Sequence, residues 1–236
     1  MTILFEDDFI VAITKPPGVV VNRAESVKGE TVQEWAEKKY PISTIQSPLS
    51  NDFISRAGIV HRIDKETSGI LLIAKTPEAF TELQRQFKER FIKKIYLAIV
   101  HGELKPEEGE IRAPVGRLPW NREHFGIVPG GKEAVTTYKV MKNVEVSRKN
   151  TTEKLTLVEL HPETGRTHQI RVHMKYINHP ILGDYLYAGR KTARNDRIWV
   201  PRVMLHAWKM TLRHPKTSLP LAIEAPIPDD MKRIGI

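Results

Sequence analysis

The sequence predicts an α/β fold of the α+β kind, with strands outnumbering helices. Three observations predict it. Short aliphatic runs of strand length recur along the chain, Ala57-Gly58-Ile59-Val60 and Ile70-Leu71-Leu72-Ile73-Ala74 among them. Two helices announce themselves by their first turns, one at Thr31 and one at Thr76-Pro77. The 236 residues, 40% hydrophobic and 28% charged, suit a globular chain with a sizeable core around one extended sheet.

Phe9 to Lys15 reads as a strand that Pro16-Pro17-Gly18 breaks before the apolar run Val19-Val20-Val21. Thr31-Val32-Gln33-Glu34 is a capping box opening a helix through Lys39, with Val32, Trp35 and Ala36 inward and Pro41 as the stop. Residues 43–56 read as a polar loop. Ala57 to Val60 and Ile70 to Ala74 read as strands flanking a charged turn. Thr76 caps a helix striped by Phe80, Leu83 and Phe87. Ile92 to Val100 is a strand, Lys105 to Glu110 an acidic turn, and Ala134 to Met141 and Leu155 to Leu160 a strand pair with a loop over 144–153. Ile170, Met174 and Ile177 recur at helical spacing, so a helix is expected from Arg166 or Thr167. Val203 to Arg213 returns to strand, and Pro226 and Pro228 mark the closing tail.

Composition removes several chemistries. With no cysteine there is no disulfide, no thiolate nucleophile and no Cys-ligated zinc. Lys and Arg number 37 against 28 Asp and Glu, a net charge of +9 that favours a polyanionic partner. No stretch is apolar enough to span a bilayer, and the N-terminal segment carries acids where a signal peptide carries bases. A soluble, cytoplasmic protein is expected.

The candidate chemistry centres on His61-Arg62-Ile63-Asp64-Lys65-Glu66-Thr67-Ser68-Gly69. Asp64 there is either a carboxylate capping its own turn or a reactive one presented by flanking strands. On an extended chain Arg62 leans to the same face and can hold the acid ionised. Arg166, in Gly165-Arg166-Thr167-His168-Gln169-Ile170-Arg171-Val172-His173, sits at an expected helix N-terminus, where a phosphate or a carboxylate such as Asp64 would complement it. His168 and His173 lack the glutamate of a zinc-protease helix. Gly126 to Glu133 falls one residue short of a phosphate-binding loop, and a strand follows where that loop needs a helix. Tyr96 taken alone reads as a strand packing residue.

These pieces occur together in one order. The run His61 to Gly69 resembles the H-R-L-D-x-x-T-S-G signature of the RluA family of pseudouridine synthases, with Ile63 in place of Leu. Lys15-Pro16-Pro17-Gly18, Lys94-Ile95-Tyr96-Leu97-Ala98-Ile99-Val100-His101-Gly102 and the Gly165 to His173 segment resemble its other motifs. Leu205-His206-Ala207-Trp208, His214-Pro215 and Glu224-Ala225-Pro226 resemble its C-terminal pattern. Val21-Asn22-Arg23 departs from it, and Gly189 to Arg202 matches nothing in it.

The resemblance implies one catalytic domain over residues 1–236: a long, mostly antiparallel sheet flanked by helices, with the active cleft across its middle. It leaves no room for a small RNA-binding S4 domain ahead of the first motif. It implies isomerisation of uridine in structured RNA, ribosomal or transfer, by a monomer needing no metal or cofactor. Asp64 would be the essential carboxylate, Arg166 its basic ion-pair partner, and Tyr96 the ring that stacks on the base and takes the C5 proton. Arg62, His61 and Gln169 would bind substrate, Arg62 filling the gap left by a flipped base. Two other readings are a non-catalytic RNA-binding protein on the same fold and a glycosidase using Glu163 as a second acid.

Overall fold

Elements form where apolar period and end signals coincide. The computed structural model describes residues 1–25, 27–41, 50–148 and 151–235. β1 (Thr2–Glu6) pairs antiparallel with β2 (Ile10–Lys15). α1 (Val32–Lys39) carries the expected capping box: Thr31 accepts from the Glu34 amide, and the Glu34 side chain accepts from the Thr31 amide. Val19 to Val21 is not a strand. The Val20 and Val21 carbonyls instead accept from Val32 and Gln33, two first-turn amides of α1.

The expected loop over 43–56 contains α2 (Ser50–Ser55), while 42–49 lie outside the described residues. Ala57 to Val60 is not a strand either. Ala57 and Gly58 take φ of 48° and 74°, which turns the chain, and only Ile59 bridges to Ile73. β3 (Ser68–Ala74) is buried along its length and pairs with β2. α3 (Pro77–Lys88) starts as expected, with Thr76 as cap and proline in the first turn.

β4 (Lys93–His101) pairs antiparallel with a later strand of the middle region. Three strands there carry no clear sequence signal: β5 (Glu108–Arg112), and the hairpin of β6 (Val115–Leu118) and β7 (Asn121–Ile127). β8 (Val135–Arg148) and β9 (Thr151–Pro162) run on as a ladder to the pair Arg148 and Thr151, so 144–148 are strand and not loop. Most of that extension is exposed or half-buried, hence its loop-like composition. α4 (Gln169–Tyr176) begins later than expected, because His168 adopts a left-handed φ of 55° at its N-cap. α5 (Arg190–Asp196), β10 (Leu205–Arg213), β11 (Pro220–Glu224) and α6 (Asp229–Lys232) complete the chain.

The chain divides into two compact units. Met1–Lys93 with Ala207–Pro226 form the first, and Lys94–His206 with Ile227–Ile236 the second. In the first, the strand order is β1-β2-β3-β10, with β11 on β10. Its core packs Ile10, Ala12, Ile70 and Leu72 of the sheet against Phe53, Phe80 and Leu83 of α2 and α3. In the second, the order is β4-β9-β8-β5. Val115, Ala134, Val172 and Tyr187 pack there beside the β6–β7 hairpin. The α/β expectation holds, with antiparallel pairing in each ladder whose register is described.

Candidate active site

In the first unit, Asp64 opens a turn and is half-buried, its carbonyl accepting from the Thr67 amide at 3.1 Å. The turn is tied down by the Lys15-Pro16-Pro17-Gly18 segment. Lys15 is fully buried, and its Nζ donates to the carbonyls of Pro16 (2.9 Å), Val19 (2.9 Å) and Lys65 (3.0 Å). The Lys65 carbonyl also accepts from the Gly18 amide at 2.8 Å. Gly18 has φ of 86°, open to glycine at no steric cost. After the turn the backbone runs close to β10: a Cβ on Gly69 would lie 2.2 Å from the Ala207 carbonyl oxygen, so only glycine fits.

His61 and Arg62 precede the turn. His61 Nε2 accepts from the Leu72 amide at 2.9 Å, and its ring packs on Phe87 at 4.8 Å. Arg62 is exposed and makes no ion pair among the described residues. Arg62 therefore forms no ion pair with Asp64. The segment is not an extended strand, since the chain turns at Asp64, and strand alternation does not align the two side chains.

In the second unit, Tyr96 lies half-buried on β4 opposite Leu160 of β9. Lys94 precedes it on the same face, and burial pushes the Lys94 ammonium down to about 8. Arg166 is in the loop before α4, not at the helix N-terminus as expected. Its amide donates to Gln169 Oε1 at 3.0 Å and its Nε donates to the Glu133 carbonyl at 3.1 Å. The loop is thus held through both the backbone and the side chain of Arg166.

A family model of RNA pseudouridylate synthases matches residues 9–176, the stretch that holds Asp64, Tyr96 and Arg166. The chain belongs to this family. It is similar to the ribosomal large subunit pseudouridine synthase D of Nitrosomonas europaea, 40% identical over 98% of this chain and 63% of that protein. The protein of that name from Neisseria meningitidis serogroup A is 38% identical, over 98% of this chain and 59% of that one. The chain therefore spans less than two thirds of the length of these two relatives. The uncharacterized RNA pseudouridine synthase YlyB of Bacillus subtilis is 37% identical, over 99% of this chain and 71% of that protein. Among solved structures, human RNA pseudouridylate synthase domain containing 1 superposes with a TM-score of 0.74 at 25% identity, over 95% of this chain and 82% of that one.

Within this pseudouridylate synthase fold, Gln169, expected to bind substrate, is buried and hydrogen-bonded within the second unit. Its Oε1 accepts from Thr164 Oγ1 (2.7 Å) and the Arg166 amide, and its Nε2 donates to the Val135 carbonyl and Thr136 Oγ1, both at 3.0 Å. Two donors and two acceptors exhaust a carboxamide, so Gln169 positions the Arg166 loop. His61, its Nε2 bonded to Leu72, likewise anchors the Asp64 loop. His173 is buried, Nε2 toward the Ala113 carbonyl and Nδ1 toward Thr136 Oγ1; burial lowers its pKa, keeping it a neutral core histidine.

Sequence reasoning singled out neither Lys15 nor Lys94. Lys15 ends a buried strand directly before Pro-Pro-Gly, a cation where a core residue is due. Lys94 is two residues from Tyr96, which on a strand means one face. A third cluster joins His101, Glu153 and Asp196, whose ligand atoms lie within 4.8 Å of one another. His101 Nε2 meets Asp196 Oδ2 at 3.0 Å and Nδ1 meets Glu153 Oε1 at 2.9 Å. Each nitrogen faces a different carboxylate, the arrangement of a doubly donating imidazolium. Burial opposes that charge, and the two carboxylates overcome it to raise the His101 pKa.

Proposed function

We propose that the protein converts uridine to pseudouridine within structured RNA. The N1–C1′ bond breaks, the uracil turns, C5 joins C1′, the C5 proton is lost and N1 takes one up. The observation that carries this reading is the family match spanning Asp64, Tyr96 and Arg166. Asp64 is the essential carboxylate, on a turn whose backbone Lys15 and Gly18 hold in place. Tyr96 stacks on the base and removes the C5 proton. Arg166, fixed through Nε and its amide, supplies the positive charge of the site.

A uridine within a stem-loop must leave its stack to react. Arg62, exposed and without an ion-pair partner among the described residues, is the side chain to fill the gap, since its planar guanidinium stacks on bases and pairs with phosphate. The net charge of +9 suits a polyanion. Relatives named for the large ribosomal subunit favour ribosomal RNA in the cytoplasm as the substrate. The test is release of tritium from a large-subunit ribosomal RNA transcript made with C5-tritiated uridine. Release in proportion to a small whole number of sites is expected. No release from ribosomal or transfer RNA transcripts overturns the proposal.

A further inference from the structure

The second unit carries a cation that the proposed reaction leaves unused. Lys94 and Tyr96 share one face of β4 by strand alternation. The Lys94 ammonium also reaches the loop that bears Arg166: a Cβ built on Gly165 would stand 3.9 Å from its Nζ. Lys94 is half-buried, yet among the described residues its ammonium makes no hydrogen bond and no ion pair.

Lys15, fully buried, has three carbonyls around its Nζ. Some more exposed lysines are paired, as Lys139 is with Glu108 and Lys105 with Glu103. A half-buried ammonium without a counter-charge is costly, and an arriving anion removes the cost.

We propose that Lys94 is a substrate-binding residue, its ammonium donating to a phosphate oxygen of the RNA at or beside the nucleotide that stacks on Tyr96. This rests on the synthase reading above, through the role given to Tyr96. Phosphate is the fully ionised group that RNA offers, whereas a uracil carbonyl would leave the ammonium without a counter-ion.

The titration of Lys94 fits this role. Within the second unit, the titratable groups on the neighbouring segments are Lys93 and Tyr96 on its own strand, Glu159 and His161 on β9, and Glu163 and Arg166 on either side of Gly165. None of them sets its pKa, which burial alone brings to about 8. A phosphate contact would raise it again, so RNA binding takes up a proton above about pH 8.

The experiment measures binding of an in vitro transcript of large-subunit ribosomal RNA by filter retention, across salt and at pH 7 and pH 9. Wild type, Lys94→Met and Lys94→Arg are compared. For Lys94→Met the slope of log affinity against log salt should be shallower by about one unit, the loss of one phosphate contact. Lys94→Arg should keep the wild-type slope. Wild-type affinity should fall from pH 7 to pH 9 more than that of Lys94→Arg, which stays charged.

If Lys94→Met binds with the wild-type slope and pH dependence, the proposal is overturned. It is equally overturned if Lys94→Arg is as impaired as Lys94→Met while both keep the wild-type slope, because packing would then be the cause. No turnover is read in this test, so absence of tritium release defeats the synthase reading without deciding the role of Lys94.

Discussion

Lys15 and Lys65 are fifty residues apart in sequence and joined by one hydrogen bond, from the buried Lys15 ammonium to the Lys65 carbonyl at 3.0 Å. That bond ties the residue after Asp64 to the end of β2. The Pro16 and Val19 carbonyls accept from the same ammonium. A cation in the core thus serves as a backbone fastener, and the placement of the carboxylate depends on it.

Lys15→Met keeps the apolar stem and removes the donor. It strands buried carbonyls, each costing about 1–3 kcal/mol, so urea denaturation should show a loss of roughly 3 kcal/mol. Pseudouridine formation should fall at least tenfold even where the variant is fully folded, because the Asp64 turn loses its tether. A variant that is destabilised but has wild-type activity per folded molecule would show that the fastener does not position Asp64.

Asp64→Asn tests the carboxylate itself with almost no change of shape. The Asp64 contact to the Thr67 amide comes from the backbone, so the turn should survive. Melting temperature and RNA affinity should stay close to wild type while tritium release disappears. Release within tenfold of wild type would remove Asp64 from the mechanism.

The legible parts of the sequence were the local ones. Thr31 with Glu34 and Thr76 with Pro77 start helices through bonds made within four residues, so their pattern is complete in the sequence. What misled was long-range or conformational. Ala57-Gly58 has strand-like composition but turns through positive φ. Val144 to Arg148 looks like a loop because its strand alternation is short and only half-buried, with Val144 and Val146 on one face and Glu145 and Ser147 exposed on the other. Arg166 reads as a helix N-terminus, but His168, in a left-handed conformation, delays the helix start to Gln169. The site motifs stood out as residue types. The role of Gln169 did not, since its four partners come from Thr164, Arg166, Val135 and Thr136.

His101, between Asp196 and Glu153, makes stability depend on pH. Burial works against its charge, yet the two carboxylates leave the folded pKa raised above the unfolded value. The stabilisation is therefore complete below about pH 6.5 and lost as pH rises through the folded pKa. His101→Asn should destabilise the protein more at pH 6 than at pH 9 in urea titrations. Because each imidazole nitrogen already faces its own carboxylate, a chelator should leave the wild-type melting temperature unchanged. A chelator-induced drop would reassign the cluster as a metal site.

Lys94 has the opposite sign. Its folded pKa, about 8, lies below its unfolded value, so the penalty is fully present below pH 8 and fades as pH approaches the unfolded value. Lys94→Met should therefore be more stable than wild type at pH 7, by roughly 2 kcal/mol after allowance for its partial exposure. The gain should shrink toward pH 10. Thermal melts at the two pH values check it, and a variant less stable than wild type at pH 7 would show that the lysine stem carries packing that outweighs the buried charge.

Tyr96 has two proposed tasks that Tyr96→Phe separates, because the ring remains and the hydroxyl goes. Stacking on the base is then preserved, and RNA affinity should be unchanged. Bond cleavage and rotation of the uracil can still occur, while loss of the C5 proton stalls. On ordinary uridine the variant should be slower by roughly the hundredfold or more that general base catalysis contributes. RNA carrying 5-fluorouridine has no C5 proton to lose, so both proteins should process it at about the same rate. If Tyr96→Phe handles ordinary uridine as fast as wild type, the hydroxyl is not the base. If it is slow on both substrates, the hydroxyl acts before the proton is lost, in binding or in bond cleavage.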